Sequence, residues 1–390
     1  MAYFDDTQTA FKLKSNKDLK KAKLLFKLMG NPFLTKLGTY FFKIPFVTDI
    51  PFIKPIVRNT IYNQFVGGVT TDECLIVAKN LYRSGVRSIM DYSVEGQSTD
   101  EEFNHVKEEI LKLIQIAKEN PAEIPCVVFK PTGFGRIDIY EKAGNNLPMA
   151  DHEMKSWENI RKRYQEVCQS AYDNGVPIMA DAEDSWMQDA ADQLMDEMMQ
   201  KFNKERCIVW STLQLYRHDR LSYLQKIYEK AKNENYLIGF KIVRGAYMEK
   251  EWDRAKEMGY RNPIQPNKEA TDRDFNQAME FMVEHIDRIS LFAGTHNEYS
   301  SELLTRLMEE HNIQKDDHRI WFGQLYGMSD NISFILGEKG YNVAKYLPYG
   351  PIKKVMPYLV RRAQENTSVA GQTGRELSLI QKEINRRKSK

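Results

Sequence analysis

The sequence predicts an α/β fold, a (β/α)8 TIM-like barrel with an N-terminal helical arm. A short apolar or β-branched run, a polar residue at its end and a helical stretch rich in Lys, Glu, Gln and Leu recur along the chain. Such alternation is typical of parallel β/α units. Eight of these units follow one another, and that number favours closure into a barrel. An open doubly wound sheet is the alternative, but no G-x-G-x-x-G follows the first predicted strand, which weakens that interpretation.

The eight predicted strands alternate with helical stretches. The strands are Arg87–Tyr92, Cys126–Lys130, Pro177–Ala182, Cys207–Gln214, Gly239–Val243, Ser290–Thr295, Ile320–Leu325 and Val343–Tyr346. The predicted helices are Asp100–Glu119, Glu153–Asn174, Arg220–Asn233, Lys268–Ile289, Ser301–His311 and Asp330–Lys339. Together these elements predict a barrel over residues 71–370.

Residues 1–70 precede the first predicted β/α unit, and we expect them to form a helical arm that packs on the barrel. One helix is predicted near Lys17–Met29, ended by the Gly-Asn-Pro sequence that follows it. The lysines of the stretch Lys14–Lys27 stand among Leu and Phe; this composition favours a solvated helix face, and contact with a membrane surface is the alternative. Residues 371–390 are predicted to be a basic C-terminal tail.

The charges of the chain nearly cancel, with 56 Lys and Arg against 54 Asp and Glu and a net charge of +2. Such a balance gives no overall field that would collect nucleic acid, so we expect small-molecule partners and no nucleic acid. The four cysteines are scattered and the seven histidines show no H-E-x-x-H, so neither a disulfide framework nor a metal site is predicted. The first residues show no signal peptide, which makes the cytoplasm the expected location.

Polar residues stand at the C-terminal ends of the predicted strands. In a (β/α)8 barrel these ends share one face, so residues far apart in sequence converge there. Lys130 and Lys241 are the most informative, because each lies within or directly after an apolar run, where a lysine needs an anionic partner or a ligand. The full set is Asp91, Lys130, Asp181, Gln214, Lys241, Arg244, Thr295, His296, Asn297, Gln324 and Tyr346.

The segment after the last predicted strand reads YLPYGPIKKVMPYLVRRAQENTS. Pro357 suits the first turn of a helix. Polar residues then recur at i, i+3, i+4 and i+7 on one helical face, and they are Tyr358, Arg361, Arg362 and Glu365. Two adjacent guanidiniums on that face could bind a carboxylate or a phosphate with forked hydrogen bonds. A solvated, salt-bridged basic face is the alternative, but the position directly after the eighth strand favours an anion site.

Six motifs give the chain a resemblance to a known family. They are DYSVEG from Asp91, MADAEDS from Met179, FKIVRGAYMEKE from Phe240, GTHN from Gly294, FGQLYGM from Phe322 and the block from YLPYGP to RRAQEN. Together, over roughly residues 85–370, they resemble the proline dehydrogenase family. The resemblance implies FAD held non-covalently over the strand ends of a (β/α)8 barrel.

The resemblance also implies a role for individual residues. The expected flavin neighbours are Asp181, Gln214, Lys241, Arg244, Gly245, Tyr247, Thr295, His296, Asn297, Gln324, Leu325 and Glu365. The expected substrate neighbours, and therefore the candidate catalytic residues, are Lys130, Tyr346, Tyr358, Arg361 and Arg362. Some family members carry Arg and then Lys where this chain has Lys241 and Arg244, so the cation that approaches the flavin N5 edge stays open between these two.

The implied reaction is the oxidation of L-proline to Δ1-pyrroline-5-carboxylate, with hydride transfer from proline C5 to flavin N5. The two adjacent arginines and Lys130 would pair with the proline carboxylate, while Tyr346 and Tyr358 would pack around the ring. The tyrosine at position 346 favours proline over hydroxyproline. Electrons would leave to a quinone, which implies brief contact with the inner face of a membrane. A separate pyrroline-5-carboxylate dehydrogenase would act on the product.

Two other functions are compatible with the residues alone. One is a lyase that forms a Schiff base through Lys241 or Lys130 while the arginine pair binds phosphate. The other is a barrel that binds amino acids without turnover. Yellow protein that bleaches when proline is added anaerobically would exclude the first. Absence of dye reduction by proline in a flavin-loaded sample would favour the second.

Overall fold

The structure is a computed structural model of the 390-residue chain. It describes residues 3–31, 55, 57–94, 96–368 and 372–389, and of residues 364–368 and 372–373 the backbone alone. The chain divides into two compact units. We call Gly96–Gly323 the central unit, and Met1–Glu95 together with Gln324–Lys390 the terminal unit.

Eight parallel strands form the sheet of the fold. They are β1 Arg87–Tyr92, β2 Val127–Phe129, β3 Ile178–Ala180, β4 Val209–Gln214, β5 Ile238–Val243, β6 Ile289–Gly294, β7 Ile320–Leu325 and β8 Val343–Tyr349. Their order is β1-β8-β7-β6-β5-β4-β3-β2, so the first strand of the sequence lies beside the last. Arg87 pairs with Ala344 and Tyr92 with Tyr349. Helices alternate with these strands, and the sheet is a nearly closed barrel, which confirms the predicted (β/α)8 TIM-like fold.

The central unit contains β2 to β6 and most of β7. Thr99 and Glu102 form a capping box at the start of its first helix, whose apolar residues, from Phe103 to Ala117, recur at helical spacing and are buried. Strand β4 is buried along its whole length, as expected of a parallel strand covered on both faces. The helices of this unit are Asp100–Glu119, Ile137–Gly144, Asp151–Asn174, Ser185–Phe202, Arg220–Asn233, Met248–Met258, Lys268–Glu284 and Glu298–Glu310.

The terminal unit contains β1, β8 and the described part of the predicted arm. The helix predicted near Lys17–Met29 is present as Asn16–Met29, and it begins with a capping box between Ser15 and Asp18. Residues 32–54 of the predicted arm lie outside the described residues. The other elements of the unit are helices Thr7–Ala10, Thr71–Tyr82, Asp330–Glu338, Ile352–Ser368 and Gln372–Lys388, a π-helical turn at Arg58–Tyr62 and a helical turn at Asn63–Phe65.

Several boundaries differ from the sequence prediction, among them helix Lys268–Glu284, which ends before the predicted Ile289 because Ile289 begins β6. Two further differences have a clear physical reason. The helix after β8 begins at Ile352, so Pro357 is its sixth residue and does not lie in its first turn. The chain can turn earlier than predicted because Gly350 adopts a φ of +143°, in a region that favours glycine. A proline near the start of a helix removes only one backbone hydrogen bond. Strand β8 extends to Tyr349, because its last residues continue the pairing with β1.

The last residues of the chain form a helix where the sequence analysis describes a basic tail. Helix Gln372–Lys388 buries Leu379 and Ile380 in the apolar cluster that also contains Phe26 of the arm. Two of its basic side chains, at positions 386 and 387, both bond to Glu383 within the helix. Among the described helices, none combines the length and the apolar character that crossing a membrane requires.

Candidate active site

Three charged side chains of the central unit meet at the carboxyl ends of its strands. Lys130 directly follows β2, Asp181 directly follows β3, and Lys241 lies within β5. Lys241 Nζ donates a short hydrogen bond to Asp181 Oδ1, and Lys130 Nζ lies 4.0 Å from Asp181 Oδ2. Lys241 is only 5% exposed. Two ammonium groups thus lie beside one carboxylate in this Lys130–Asp181–Lys241 group, and the carboxylate of Glu183 also interacts electrostatically with Lys130.

The strand ladder fixes the position of Asp181 opposite Lys241. The backbone N–H of Asp181 donates to the carbonyl of Phe129 at 2.9 Å. The carbonyl of Ala180 accepts from Thr212 Oγ1 at 2.7 Å, and Thr212 is the partner of Lys241 in the register of β4 and β5. The ion pair therefore follows from parallel pairing of β2 to β5 and not from closeness in sequence.

A further carboxylate, which the sequence analysis did not select, holds the turn after Lys130. Glu183 accepts hydrogen bonds from the backbone N–H and the Oγ1 of Thr132 at 2.8 and 2.7 Å. Burial raises the pKa of Glu183 to about 7, although the hydrogen bonds from Thr132 favour its ionised form. The available signal was its place in the MADAEDS motif, two residues after Asp181.

Gln214 ends β4 and is 2% exposed. Its Nε2 donates to the carbonyl of Ala182 at 3.4 Å. Its Oε1 is buried and has no hydrogen-bond partner within the described part of the chain. Leaving a buried amide oxygen without a donor costs about 1–3 kcal/mol. The orphaned oxygen therefore indicates a ligand N–H at the end of this strand.

Arg244 follows β5 and is held by side chains of the elements packed around it. Its Nε donates to Asp272 Oδ1 at 2.6 Å. Its two terminal nitrogens donate to Thr295 Oγ1 at 2.8 Å and to Ser300 Oγ at 2.9 Å. The guanidinium carbon also lies 4.3 Å from the ring centre of Phe275. All three nitrogens are engaged, so Arg244 ties β5 to the helices that contain Asp272 and Ser300.

The other expected flavin neighbours of the central unit lie in the loops after β5 and β6. Gly245 has a φ of +130°, and a Cβ there would lie 2.4 Å from the ring of Tyr216, so only glycine fits. Tyr247 stands directly before the helix that follows β5. Asn297 caps the helix after β6 by accepting a backbone N–H at 3.0 Å. His296, its neighbour, is half-buried.

In the terminal unit the expected site residues lie on β7, β8 and the helix after β8. Gln324 is 2% exposed, and its Oε1 accepts from Ser333 Oγ at 2.7 Å. Leu325 packs against the apolar cluster of this unit. Tyr346 lies in β8 and is 8% exposed. The side chain of Glu365 lies outside the described side chains.

Tyr358 and Arg362 are packed together on helix Ile352–Ser368, with the guanidinium carbon 5.0 Å from the ring centre. Arg362 is 6% exposed, and Arg361 beside it is half-buried. A solvated basic face would leave such arginines in water, so the burial of Arg362 argues against that alternative. A guanidinium removed from water is retained where it meets an anion or several acceptors.

A buried ion group adjoins Tyr346 in sequence and lies wholly within the terminal unit. Lys345 Nζ lies 2.8 Å from Asp330 Oδ1, and Lys14 of the arm lies 3.4 Å from Asp330 Oδ2. Burial alone would raise the pKa of Asp330, but the two lysines hold it below its ordinary value. The group joins β8, the helix after β7 and the arm, and sequence spacing gave no signal for it.

Another buried carboxylate of the terminal unit fixes the turn after β7. Glu376, in the last helix, accepts the backbone N–H of Ser329 at 2.6 Å. Ser329 has a φ of +49°, a left-handed conformation that is uncommon for residues other than glycine. Burial raises the pKa of Glu376 to about 7. The two residues are 47 positions apart, so their contact could not be predicted from local pattern.

Comparison with known proteins identifies the family to which this arrangement belongs. The family model of proline dehydrogenase matches residues 74–375. The carbapenem antibiotics biosynthesis protein CarD of Pectobacterium carotovorum is 36% identical over 84% of this chain and 84% of its own. Proline dehydrogenase 1, mitochondrial, of Dictyostelium discoideum is 29% identical over 98% of this chain and 74% of its own. The human protein of the same name is 41% identical over 61% of this chain and 40% of its own.

Solved structures show the same fold at lower identity. Proline utilization A from Bdellovibrio bacteriovorus, inactivated by N-propargylglycine, has a TM-score of 0.75 and 20% identity. The match covers 93% of this chain and 39% of that one, so the chain spans about two fifths of that protein. Because the family model matches well over half of the sequence, and CarD is 36% identical over most of both chains, this chain belongs to the proline dehydrogenase family of oxidoreductases.

Proposed function

We propose that this chain is an FAD-dependent proline dehydrogenase, which oxidises L-proline to Δ1-pyrroline-5-carboxylate and passes the electrons to a quinone. The observation that carries the proposal is the Lys130–Asp181–Lys241 group at the strand ends of the central unit, in which Lys241 is a buried cation. Reduction of a flavin by hydride adds negative charge to its ring, and a fixed cation stabilises that charge. The choice of a quinone as electron acceptor rests on the family resemblance alone.

The residues of the central unit fit the polar edge of a flavin. That edge presents an N–H donor between two carbonyl acceptors. Gln214 offers a buried Oε1 that lacks a donor within the described residues, and Lys241 offers ammonium protons beside Asp181. We assign these two side chains to holding the ring. Bound FAD supplies one chemical capacity that side chains lack, the acceptance of a hydride from proline C5 at N5.

Between the two cations of the FKIVRGAY motif, we assign the flavin to Lys241. The nitrogens of Arg244 are engaged by Asp272, Thr295 and Ser300. Lys241 instead points to the carboxylate at the end of β3, where the other polar strand ends of the central unit lie. The geometry thus supports Arg244 in a positioning role and Lys241 beside the reacting ring.

The assignment of the substrate residues follows from the resemblance, and those residues are Lys130, Tyr346, Tyr358, Arg361 and Arg362. Two features of the described side chains support it. Lys130 and Lys241 lie beside the same carboxylate, that of Asp181, and Arg362 is buried against Tyr358. Proline must react with a neutral amine, because the nitrogen lone pair forms the C=N bond as the hydride leaves C5. The resulting iminium then loses its proton to give Δ1-pyrroline-5-carboxylate.

Two relatives carry names that point to other substrates or products. One is the CarD protein, and another is a hydroxyproline dehydrogenase of Xenopus laevis that is 29% identical over 97% of this chain. We assign proline as the substrate, because the family resemblance implies that a tyrosine at position 346 crowds the C4 position that bears the hydroxyl of hydroxyproline. Values of kcat/KM for proline and for 4-hydroxyproline test this assignment. A higher value for hydroxyproline would overturn it.

The visible spectrum of the purified protein tests the reaction. We expect a yellow protein whose flavin absorbance bleaches when proline is added without oxygen and returns when a quinone is added. Colourless protein that borohydride traps with a carbonyl substrate would instead establish the Schiff-base lyase. A flavin that stays oxidised with proline would show binding without turnover.

Substitution in the helix after β8 tests the substrate residues. Removing one partner of a buried charge pair costs about 2–5 kcal/mol, so Arg361→Met and Arg362→Met should each raise the proline KM by about thirtyfold or more while flavin stays bound. Lys354→Met removes an exposed cation from the same helix and should leave KM unchanged. Ordinary proline kinetics in both arginine variants would contradict the assignment.

A further inference from the structure

The carboxylate of Glu183 is a buried acidic group that contacts the turn after Lys130. Glu183 is 8% exposed, and its two oxygens accept the backbone N–H and the hydroxyl of Thr132 at 2.8 and 2.7 Å. Thr132 lies in the short turn Pro131–Gly133, which begins directly after Lys130. The carbonyl of Lys130 accepts the N–H of Gly133 at 2.9 Å. Glu183 therefore fixes the segment from which the side chain of Lys130 extends.

A chain of buried hydrogen bonds holds Glu183 from the other side. Its backbone N–H donates to Gln188 Oε1 at 2.8 Å, and Gln188 Nε2 donates to Asp192 Oδ1 at 2.8 Å. Arg220 donates to the other oxygen of Asp192 at 2.6 Å. All four residues are buried. The loop that contains Glu183 is thus anchored away from water, so a charge on its carboxylate acts strongly on neighbouring groups.

Titratable groups face Glu183 from the elements packed around it. Burial raises the pKa of Glu183 to about 7, the hydrogen bonds that it accepts and the charge of Lys130 lower it, and the charge of Asp184 raises it. Tyr140 and Tyr164, on the two helices that follow the turn, also interact electrostatically with Glu183. Burial raises the pKa of both phenols above the ordinary value, so they stay neutral when Glu183 ionises. Lys130 is the cation among these neighbours, and ionisation of Glu183 therefore changes the electrostatic field at Lys130.

Both protonation states of Glu183 fit the same contacts. The ionised carboxylate accepts the two hydrogen bonds from Thr132. A protonated carboxyl still accepts the backbone N–H on one oxygen, and its O–H donates to the hydroxyl oxygen of Thr132, because a hydroxyl hydrogen can rotate away. Ionisation therefore changes the charge beside Lys130 and leaves the turn in place.

We propose that Glu183 is a positioning residue, which acts through Lys130 and by its ionisation sets how strongly the substrate site attracts a carboxylate. With Glu183 neutral, one carboxylate, that of Asp181, lies beside Lys130; with Glu183 ionised, a second one acts on the same lysine. The additional negative charge weakens the attraction of Lys130 for an anionic ligand. Affinity should fall as Glu183 ionises, and ligand binding should in return take up a proton. The inference rests on the proposed function, because that function makes Lys130 a substrate neighbour.

Calorimetric titration of the flavin-loaded full chain with cyclopentanecarboxylate tests the inference. This ligand keeps the ring and the carboxylate of proline and lacks the amine, so it has no group that titrates between about pH 6 and about pH 9. At an effective dielectric constant of about 20, two like charges about 10 Å apart change an affinity by about tenfold. We expect the dissociation constant to rise by about this factor, tenfold, over that pH range. In buffers of different ionisation enthalpy, binding at about pH 7.5 should take up about half a proton.

Three substitutions separate the effect of charge from that of structure. Glu183→Gln keeps contacts with Thr132 and removes the charge, so its dissociation constant should be nearly the same at every pH and its binding should take up no proton. Thr132→Val removes a hydrogen bond that lowers the pKa of Glu183, so the rise should persist and move to higher pH. Glu376→Gln is the matched control, because Glu376 is a buried carboxylate of the terminal unit whose pKa is also raised to about 7. This control should retain the rise of the wild type.

Absence of binding to the wild type, or binding that neither changes with pH nor takes up a proton, would overturn the inference. An equal rise in Glu183→Gln and in the wild type would overturn it as well. Weakening of Glu183→Gln and Thr132→Val by the same factor at every pH would show a purely structural role instead. The proposed reaction is tested separately by flavin bleaching. If binding depends on pH as expected but the flavin stays oxidised with proline, this inference stands and the proposed reaction is excluded.

Discussion

Replacing Glu183 by glutamine removes one titrating group from the central unit and keeps the contacts of that group. The carboxylate accepts two hydrogen bonds from Thr132, one from the backbone N–H and one from the hydroxyl. A glutamine oxygen can accept the first bond, and its amide N–H can donate to the hydroxyl oxygen in place of the second. Any change in stability with pH then reports the ionisation of Glu183 and not the loss of a contact.

The size and sign of the effect follow from the raised pKa. Burial moves the pKa of Glu183 from 4.5 to about 7, so the folded chain holds this proton more tightly than the unfolded chain. The contribution to stability is present in full below the unfolded pKa and is lost as the pH rises through the folded pKa. For these two values the linkage relation gives a loss of about 2–3 kcal/mol between about pH 5 and about pH 8. With an unfolding entropy of about 0.8 kcal/mol/K for 390 residues, the loss corresponds to about 3 °C.

The assay is the thermal unfolding midpoint of the wild type and of Glu183→Gln at both pH values. We expect the variant to gain about 3 °C on the wild type between about pH 5 and about pH 8. Glu383→Gln is the control, because burial opposes ionisation of Glu383 but Arg386 and Arg387 hold its pKa well below the ordinary value. That group stabilises the fold above its unfolded pKa and loses its effect only as the pH falls, so this variant, which still contains Glu183, should show the same pH slope as the wild type in the same range. An equal pH slope in the wild type and in Glu183→Gln would refute the reasoning.

Three more predictions concern the buried polar groups. Glu376→Gln should raise the unfolding midpoint at high pH by the same amount as Glu183→Gln, because burial raises the pKa of Glu376 to about 7 as well. Thermal unfolding at the two pH values measures this difference. Asp330→Asn should lower the free energy of unfolding in urea by about 3–5 kcal/mol, because it leaves the buried Lys345 without its carboxylate partner. The control Lys12→Ala removes an exposed ion pair and should lower the same free energy by less than about 1 kcal/mol. Gln214→Leu should weaken FAD retention by about tenfold, measured as flavin released on dilution, because its orphaned oxygen can no longer accept a ligand N–H.

Local pattern was sufficient for most of the fold. Strands β1 and β7 have the predicted bounds, because each contains a short apolar stretch, Ile89–Met90 in β1 and Ile320–Phe322 in β7, followed by polar or turn residues. Helix Asp100–Glu119 also has its predicted bounds, since Thr99 supplies a recognisable cap. The start of the helix after β8 was wrong, because Pro357 was interpreted as a helix start. The turn at Gly350 depends on a backbone conformation that the sequence indicates only weakly.

The candidate site was predictable in its residue types and not in its partners. Lysines such as Lys130 and Lys241 within or after apolar runs could be recognised as needing an anion. That the same carboxylate, Asp181, lies beside both lysines depends on the pairing of four strands, β2 to β5. The contact between Glu376 and Ser329 joins positions 47 residues apart, and no periodicity links them. Long-range ion and hydrogen-bond partners are therefore the part of the site that requires a structure.

The order of the two cations in the FKIVRGAY motif has a structural cause. Positions 241 and 244 are three residues apart, so an extended chain turns their side chains to opposite sides. Lys241 faces the carboxylate after β3, whereas Arg244 faces three separate acceptors, Asp272, Thr295 and Ser300, at 2.6 to 2.9 Å. A lysine at position 244 would have a single nitrogen to donate to these acceptors, whereas the guanidinium of arginine has three. The three acceptors around position 244 thus favour an arginine there. The lysine at position 241 is then the cation that lies at the carboxyl ends of the strands, beside Asp181.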